Sequence, residues 1–164
     1  MVIKNIHTRE LNCSISQASC LIDRLASKDE ILWPVQYWPP MKLDRPLGVG
    51  ASGGHGPIGY VVEEYRPGTY LRFRFTRPPE FMGIHAFAME ELSPARVRIR
   101  HVIDMEVKGA GWFTWCFAVR WLHDALIEDA FDRAEEYLES RPARQRKWSW
   151  LVLLLRWLMS ARKR

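Results

Sequence analysis

Several features of common protein classes are missing from this chain of 164 residues. Its three cysteines, Cys13, Cys20 and Cys116, are an odd number without a CxxC pair, which argues against a disulfide framework. The N-terminus has no apolar signal-peptide core, so we expect a cytoplasmic protein. The one long apolar stretch, 148–159, would extend about 18 Å as a helix, against about 30 Å for the hydrocarbon core of a bilayer. We therefore expect no membrane-spanning segment.

Excess positive charge is missing from most of the chain, although the net charge of the whole is +5. Residues 141–164 contain eight Lys or Arg and no Asp or Glu, which leaves 16 of the 24 basic side chains to oppose all 19 acidic ones in residues 1–140. Nucleic-acid binding requires clustered cations on the face that meets the phosphates. The charge distribution argues against a nucleic-acid partner.

The hydrophobic patterns that are present predict an α+β fold. Residues 2–9 favour a strand, and the apolar stripe after Ser16 predicts a short helix capped by that hydroxyl. Between about 47 and 107, alternating segments separated by turn signals predict about five antiparallel strands. Residues 112–138 contain no proline or glycine and have helical periodicity, which predicts a long C-terminal helix.

The inner faces of these strands and of the long helix predict an apolar wall. Its candidates share the buried register of their elements: Leu71, Phe73, Phe75, Phe87, Val97, Ile99, Ile103, Trp115, Val119 and Leu126. Trp112 and Tyr137 fall on the same side of the long helix by angle, whereas an acidic series, Asp124, Glu128, Asp132, Glu135 and Glu139, is expected to face water.

Three histidines occupy or adjoin this apolar register, namely His85, His101 and His123. A buried histidine must be neutral and hydrogen-bonded or it costs free energy. Each could be a satisfied core residue, a polar anchor in a ligand pocket, a metal ligand or a general base. Their spacing lacks the paired ligands of metal sites recognisable from sequence, so we expect no metal.

The glycine-rich segment 48–59 formally contains GxGxxG at Gly48, Gly50 and Gly53. A dinucleotide site needs a helix to follow this loop, whereas residues 57–62 read as a strand. We therefore expect no nucleotide at this loop. The segment is more typical of a hairpin loop at the mouth of a cavity, with His55 either in solvent or in contact with a ligand.

Catalytic motifs are weak. His123 and Asp124 are adjacent, and neighbours on a helix point about 100° apart, so we expect no orienting pair between them. No serine lies in a nucleophile elbow, and Cys116 fits a core thiol better than a nucleophile.

The basic, Trp- and Leu-rich tail leaves three alternatives open. Indoles and leucines flanked by cations are typical of a helix lying at an anionic membrane surface. The same side chains in 148–159 could pack on the body of the protein or across a dimer, or the tail could be disordered.

Several short segments resemble the SRPBCC superfamily, the START-like, polyketide cyclase/dehydrase and lipid-transport group, and in particular bacterial members of no assigned activity. They are Leu32-Trp-Pro, Trp38-Pro-Pro-Met, Leu43-Asp-Arg-Pro-Leu, Gly53-Gly-His-Gly-Pro-Ile, Leu71-Arg-Phe-Arg-Phe and Trp121-Leu-His-Asp-Ala-Leu-Ile-Glu-Asp-Ala. The similarity covers roughly residues 2–140 and excludes the tail. It implies a helix-grip (START-like) fold, in which a curved antiparallel sheet surrounds a long C-terminal helix with an internal cavity. It also implies no obligatory cofactor, and it carries over no catalytic residue.

We therefore expect a START-like ligand-binding domain over 1–140 and a basic tail helix over 141–164. The expected function is binding of a small apolar molecule, lipid-like, aromatic or polyketide-like. Its candidate ligand-binding residues are His55, His85, His101, His123, Phe73, Phe75, Phe87, Trp115, Val119 and Leu126. The alternatives are a cyclase/dehydrase-type enzyme that uses cavity histidines as acid and base, and membrane-surface docking through the tail.

Overall fold

A computed structural model describes residues 1–142 and 147–161 of the chain. Within them, the strands are β1 (Val2–Leu11), β2 (Lys42–Leu43), β3 (Ser52–His55), β4 (Ile58–Arg66), β5 (Tyr70–Arg77), β6 (Phe81–Ser93) and β7 (Arg96–Val107). The α-helices are α1 (Ile15–Asp23), α2 (Gly111–Thr114), α3 (Arg120–Leu138) and α4 (Trp150–Ala161).

All seven strands form one antiparallel sheet in the order β1-β7-β6-β5-β4-β3-β2. Strands β2 to β7 form a meander, and β1 joins its far edge by pairing with β7. The predicted α+β architecture, a curved antiparallel sheet with a long C-terminal helix, is confirmed. The register places His7 opposite His101, and His101 opposite Phe87. Because directly opposite residues share a face, both histidines are on the sheet face that carries the core.

Helix α1 begins two residues earlier than the predicted cap allows, and that cap was wrong. Ser14, not Ser16, is the N-cap: its side chain accepts from the backbone N–H of Gln17, and the Gln17 side chain accepts from the backbone N–H of Ser14. This reciprocal capping box satisfies two backbone N–H groups that would otherwise lack partners, which fixes where the helix starts.

The long C-terminal helix is interrupted by one π turn, Trp115–Val119, between α2 and α3. A π turn places one extra residue in the helix, so residues before it are rotated relative to a regular α-helix. This rotation corrects the prediction for Trp112, which is 40% exposed rather than on the inner face. Tyr137, in the last turn of α3, is also exposed, whereas Trp115 is buried as predicted.

The expectation that the acidic series of the long helix faces water was wrong for Asp132 and Glu135, which are largely covered, whereas Glu128 is exposed as expected. Arg9 on β1 donates to Asp132 at 2.9 Å and to Glu128 at 2.8 Å, and it lies 3.1 Å from the buried carboxylate of Glu135. The odd-numbered polar residues of β1 therefore face α3, and ion pairs join the edge strand to the helix.

Helix α4 packs on the body of the protein along α3. Its residue Val152 is buried, and the indole N–H groups of Trp148 and Trp38 both donate to the buried carboxylate of Asp129, at 3.0 and 2.7 Å. The Arg156 guanidinium lies 4.1 Å from the ring centre of Trp148 and 4.5 Å from that of Trp38. We call Trp38, Asp129, Trp148 and Arg156 the tail clamp. No helix among the described residues is long and apolar enough to cross a membrane.

Candidate ligand pocket and histidine cluster

A pocket of about 120 Å³ lies between the inner sheet face and the long helix. Its walls come from four regions: the loop after α1, the β3–β4 hairpin, strands β5 to β7, and the helices. The lining residues are Trp33, Trp38, Pro39, His55, Gly56, Pro57, Ile58, Phe75, Phe81, His85, His101, Ile103, Trp115, Val119, Leu122, His123, Leu126, Ile127 and Met159. Apart from the histidines, the lining side chains are almost entirely apolar.

Eight of the ten candidate ligand-binding residues lie in this lining: His55, His85, His101, His123, Phe75, Trp115, Val119 and Leu126. The expected wall was wrong at five positions that do not line the pocket and are fully buried instead, namely Leu71, Phe73, Phe87, Val97 and Ile99. Phe73 and Phe87 pack behind the lining, Phe73 stacked on His85 with ring centres 4.7 Å apart and Phe87 4.5 Å from His101. Strand periodicity indicates which face is buried, but it does not separate the first layer of a wall from the second.

The sequence analysis did not include the part of the wall made by the loop 33–39 and by α4. Trp33 lies 4.9 Å from His55 between ring centres, and Met159 of α4 reaches the same pocket. The Trp-Pro pairs at Trp33-Pro34 and Trp38-Pro39 could have indicated that this loop contributes to the wall, because a loop with two large apolar tryptophans is expected to bury them.

All five histidines of the chain gather at this site. The ring centres of His7 and His123 are 5.8 Å apart, those of His123 and His101 are 5.0 Å apart, and those of His101 and His85 are 5.7 Å apart. His55 continues the row through Tyr60, whose hydroxyl lies 3.2 Å from His55 Nδ1 and whose ring is 4.8 Å from that of His85. The sheet register and the helix rotation together bring residues from β1, β3, β6, β7 and α3 to one place.

Burial keeps the pocket histidines neutral. It lowers the pKa values of His85, His101 and His123 below the ordinary value of 6.5, and that of His55 to about 3. Four of their ring nitrogens, His85 Nε2, His101 Nδ1 and both of His123, are buried without a hydrogen-bond partner in the described part of the chain. A buried polar atom without a partner costs about 1–3 kcal/mol. The pocket therefore offers imidazole nitrogens that a bound molecule could satisfy.

His7 has the opposite electrostatics. Burial alone would lower its pKa, but hydrogen bonds with Asp124 and Glu128 outweigh burial and raise the pKa to about 9. His7 Nδ1 lies 2.7 Å from Glu128 Oε1, and His7 Nε2 lies 3.1 Å from Asp124 Oδ1. Burial would raise the pKa of Asp124, yet its hydrogen bonds hold that pKa well below the ordinary range. His7 is therefore a cation between two carboxylates.

His123 and Asp124 approach each other more closely than adjacency on a helix suggests. His123 Nδ1 lies 3.6 Å from Asp124 Oδ1, which is near but too long for a hydrogen bond. The same oxygen accepts from Asn5 at 2.9 Å. Asp124 Oδ1 thus forms hydrogen bonds with Asn5 and His7, and His123 lies close to it without a hydrogen bond. The sequence analysis did not select His7. The available signal was a match of two patterns: the polar side chains at 5, 7 and 9 alternate along β1, and the carboxylates at 124, 128 and 132 are four residues apart on α3. Such patterns allow the strand and the helix to pair through these side chains.

This geometry defines a class: an antiparallel sheet gripping a long C-terminal helix over an apolar pocket. No protein-family model matches the chain, and no curated protein is similar to it in sequence. Solved structures are similar in fold. Norcoclaurine synthase from Thalictrum flavum in complex with dopamine and hydroxybenzaldehyde has a TM-score of 0.64 at 12% identity, over 87% of this chain and 90% of that chain.

Two further structures extend the comparison. A conserved protein of unknown function from Enterococcus faecalis has a TM-score of 0.62 at 14% identity, over 99% of this chain and 85% of that chain. The Aha1 dimer from Colwellia psychrerythraea has a TM-score of 0.55 at 12% identity, over 84% of this chain and 96% of that chain. The chain therefore has the helix-grip fold that these solved structures share.

Proposed function

We propose that this protein binds a small molecule of about one aromatic ring that carries a hydroxyl group. The observation that supports this is the set of partnerless imidazole nitrogens in an apolar pocket of about 120 Å³. An engineered apolar cavity of about 150 Å³ in another protein holds benzene. The volume favours a single ring over the lipid-like and polyketide-like ligands that the fold alone would allow.

The pocket chemistry favours a neutral donor over an ion. A neutral imidazole has one nitrogen that accepts a hydrogen bond, and a phenolic hydroxyl can donate to it without bringing a full charge into an apolar site. The similar fold of norcoclaurine synthase holds dopamine and hydroxybenzaldehyde, which are both single-ring phenols. This parallel supports the ligand class and assigns no reaction to the present chain.

Calorimetric titration with phenol and with toluene tests the proposal. The two probes are similar in size and differ in the hydroxyl group. We expect phenol to bind with a dissociation constant on the order of 0.1 mM. Replacing His101 with Leu should weaken phenol binding about tenfold, the equivalent of one hydrogen bond, and leave toluene binding unchanged. Absence of saturable phenol binding, or equal weakening of both probes, would refute the proposal.

A second candidate function is docking on an anionic membrane surface through α4. Its outward side chains are large and apolar, and they stay exposed although the helix is packed: Trp150 75%, Leu153 53%, Leu154 43%, Trp157 64% and Leu158 47%. The sequence around them, 141–164, has eight basic and no acidic residues. Exposed indoles and leucines flanked by cations match the boundary between headgroups and acyl chains.

Co-sedimentation of the full chain with vesicles tests this second candidate. We expect binding to vesicles of phosphatidylcholine with phosphatidylglycerol and weaker binding to phosphatidylcholine alone. A Trp157→Gln, Leu158→Gln variant should lose binding, whereas Phe117→Gln, an exposed aromatic residue outside α4, should retain it. If the α4 variant sediments like the unaltered protein, or if α4 instead mediates a dimer on size-exclusion chromatography, membrane docking is rejected.

A further inference from the structure

The strongest unassigned feature lies beside the pocket, where Asp124 meets two histidines. His7 Nε2 is 3.1 Å and His123 Nδ1 is 3.6 Å from the same carboxylate oxygen, Asp124 Oδ1. Donor atoms of these three residues all lie within 4.8 Å of one another. Ligand atoms about 2.0–2.1 Å from a tetrahedral ion are a little over 3 Å apart. The three side chains are thus spaced nearly as ligands of one ion would be.

We propose that His7, His123 and Asp124 bind a divalent transition-metal ion of the Zn²⁺ type. Two histidines and one carboxylate are a donor set of catalytic zinc sites and of ferrous sites, which keep further positions open for water or substrate. Nothing in the spacing along the chain indicates this site, because His7 comes from the edge strand and the other two residues from α3.

The surrounding hydrogen bonds match those of ligand-supporting residues in metal sites. Metal-binding histidines usually bond a carboxylate through the second ring nitrogen, which fixes the tautomer and leaves the first nitrogen for the ion. His7 Nδ1 lies 2.7 Å from Glu128 Oε1, and Glu128 is held in turn by Arg9 at 2.8 Å. Asn5 donates to Asp124 at 2.9 Å and orients its carboxylate.

His123 supplies an independent observation. Both of its ring nitrogens are buried without a hydrogen-bond partner in the described residues, so its polar atoms are unsatisfied by the protein itself. An ion on Nδ1 would satisfy one of them.

The placement of the site connects it to the pocket. His123 also lines the pocket, with its ring 5.0 Å from that of His101 and 6.4 Å from that of Trp115. An ion bound there would share His123 with the pocket wall, because His123 is the member of the trio that lines the pocket. The inference stands on the three donors and does not require the phenol-type ligand proposed above.

Equilibrium dialysis of the full, untagged chain against Zn²⁺ at pH 8, with metal measured by mass spectrometry, tests the site. We expect one Zn²⁺ per chain. Asp124→Asn and His7→Gln should each weaken binding at least tenfold. Asp132→Asn is the matched control, because Asp132 lies on the same helix face and pairs with Arg9 but is outside the donor trio. Circular dichroism melts confirm that each variant is folded.

A Co²⁺ titration gives a second readout that does not depend on activity or on thermal stability. Binding should give the visible absorption of a four-coordinate ion, and Asp124→Asn should abolish it. Sub-stoichiometric Zn²⁺, or equal Zn²⁺ loss in Asp124→Asn and Asp132→Asn, would overturn the proposal and leave His7 as an ion-pair partner only. Neither result depends on whether phenol binds.

Discussion

Burial lowers the pKa values of the pocket histidines, whereas at His7 the hydrogen bonds with Asp124 and Glu128 outweigh burial and raise the pKa. His85 and His101 lie among aromatic rings and lose their charge, whereas His7 lies between two carboxylates and keeps it. The pocket end therefore presents neutral acceptors, and the other end presents a cation. This contrast makes stability depend on pH on both sides of neutrality.

We predict that the metal-free protein has its largest free energy of unfolding near pH 6.5. A histidine in an unfolded chain titrates at about 6.5, so below this pH unfolding releases His85 and His101 to take up protons, and stability falls. Above it, the stabilisation of protonated His7, whose folded pKa is about 9, is progressively lost as the pH rises toward that value.

Urea denaturation between pH 5 and 9 in the presence of a chelator measures this dependence. Between pH 6.5 and 5.5 the fall in the free energy of unfolding should be smaller by about 1 kcal/mol in His85→Leu, because one neutral buried imidazole has been removed. His7→Gln should flatten the alkaline side only. Stability that increases steadily as the pH falls from 6.5 would contradict the assignment of neutral pocket histidines.

The two layers of the pocket wall predict different effects for two substitutions. Val119→Phe adds a ring inside a pocket of about 120 Å³, so phenol affinity should drop at least tenfold with little change in stability. Phe73 lies behind His85 and does not line the pocket. Phe73→Leu should therefore lower the free energy of unfolding by about 1–2 kcal/mol without changing phenol affinity. Calorimetry measures the phenol affinity of each variant, and urea denaturation measures its free energy of unfolding. Unchanged phenol affinity in Val119→Phe would show that phenol binds elsewhere.

At the scale of elements, the sequence pattern predicts the existence of the strands and the long helix better than their rotation. The π turn Trp115–Val119 is not visible in apolar periodicity, and it places Trp112 outside and Trp115 inside. The pairing of β1 with α3 was missed for another reason: a carboxylate series at spacing four fits a solvated face as well as a face opposite His7 and Arg9. Only the long-range contact separates these interpretations.

Helix α4 depends on the tail clamp for its position. Trp148→Ala removes a hydrogen bond to Asp129 and a ring beneath Arg156, together worth about 2 kcal/mol. We expect trypsin to cleave after Arg156 about 30-fold faster in this variant, because local detachment of the helix becomes more frequent. Peptide mass mapping measures the rate. Trp150→Ala, which removes an exposed ring outside the clamp and away from the cleaved bond, is the control, and equal rates in both variants would contradict the clamp.

At the scale of the whole molecule, the order of elements was sufficient to predict the α+β fold, and the inner faces of strands and helix gave eight of the nineteen lining residues of the pocket. Convergence of His85, His101 and His123 did not follow, because one residue of register or a fraction of a turn of helix would separate them. The loop 33–39 and Met159 of α4 complete the wall from distant parts of the chain. A local sequence pattern does not show which distant segments complete the pocket wall.

The central claim is that neutral pocket histidines receive a one-ring hydroxylated ligand. The most direct test records the imidazole ¹H–¹⁵N correlations of all five histidines while phenol is added. Saturable shifts of His55, His85, His101 and His123, with the smallest change at His7, are the predicted result. Unshifted pocket imidazoles, or shifts no larger than that of His7, would contradict the account.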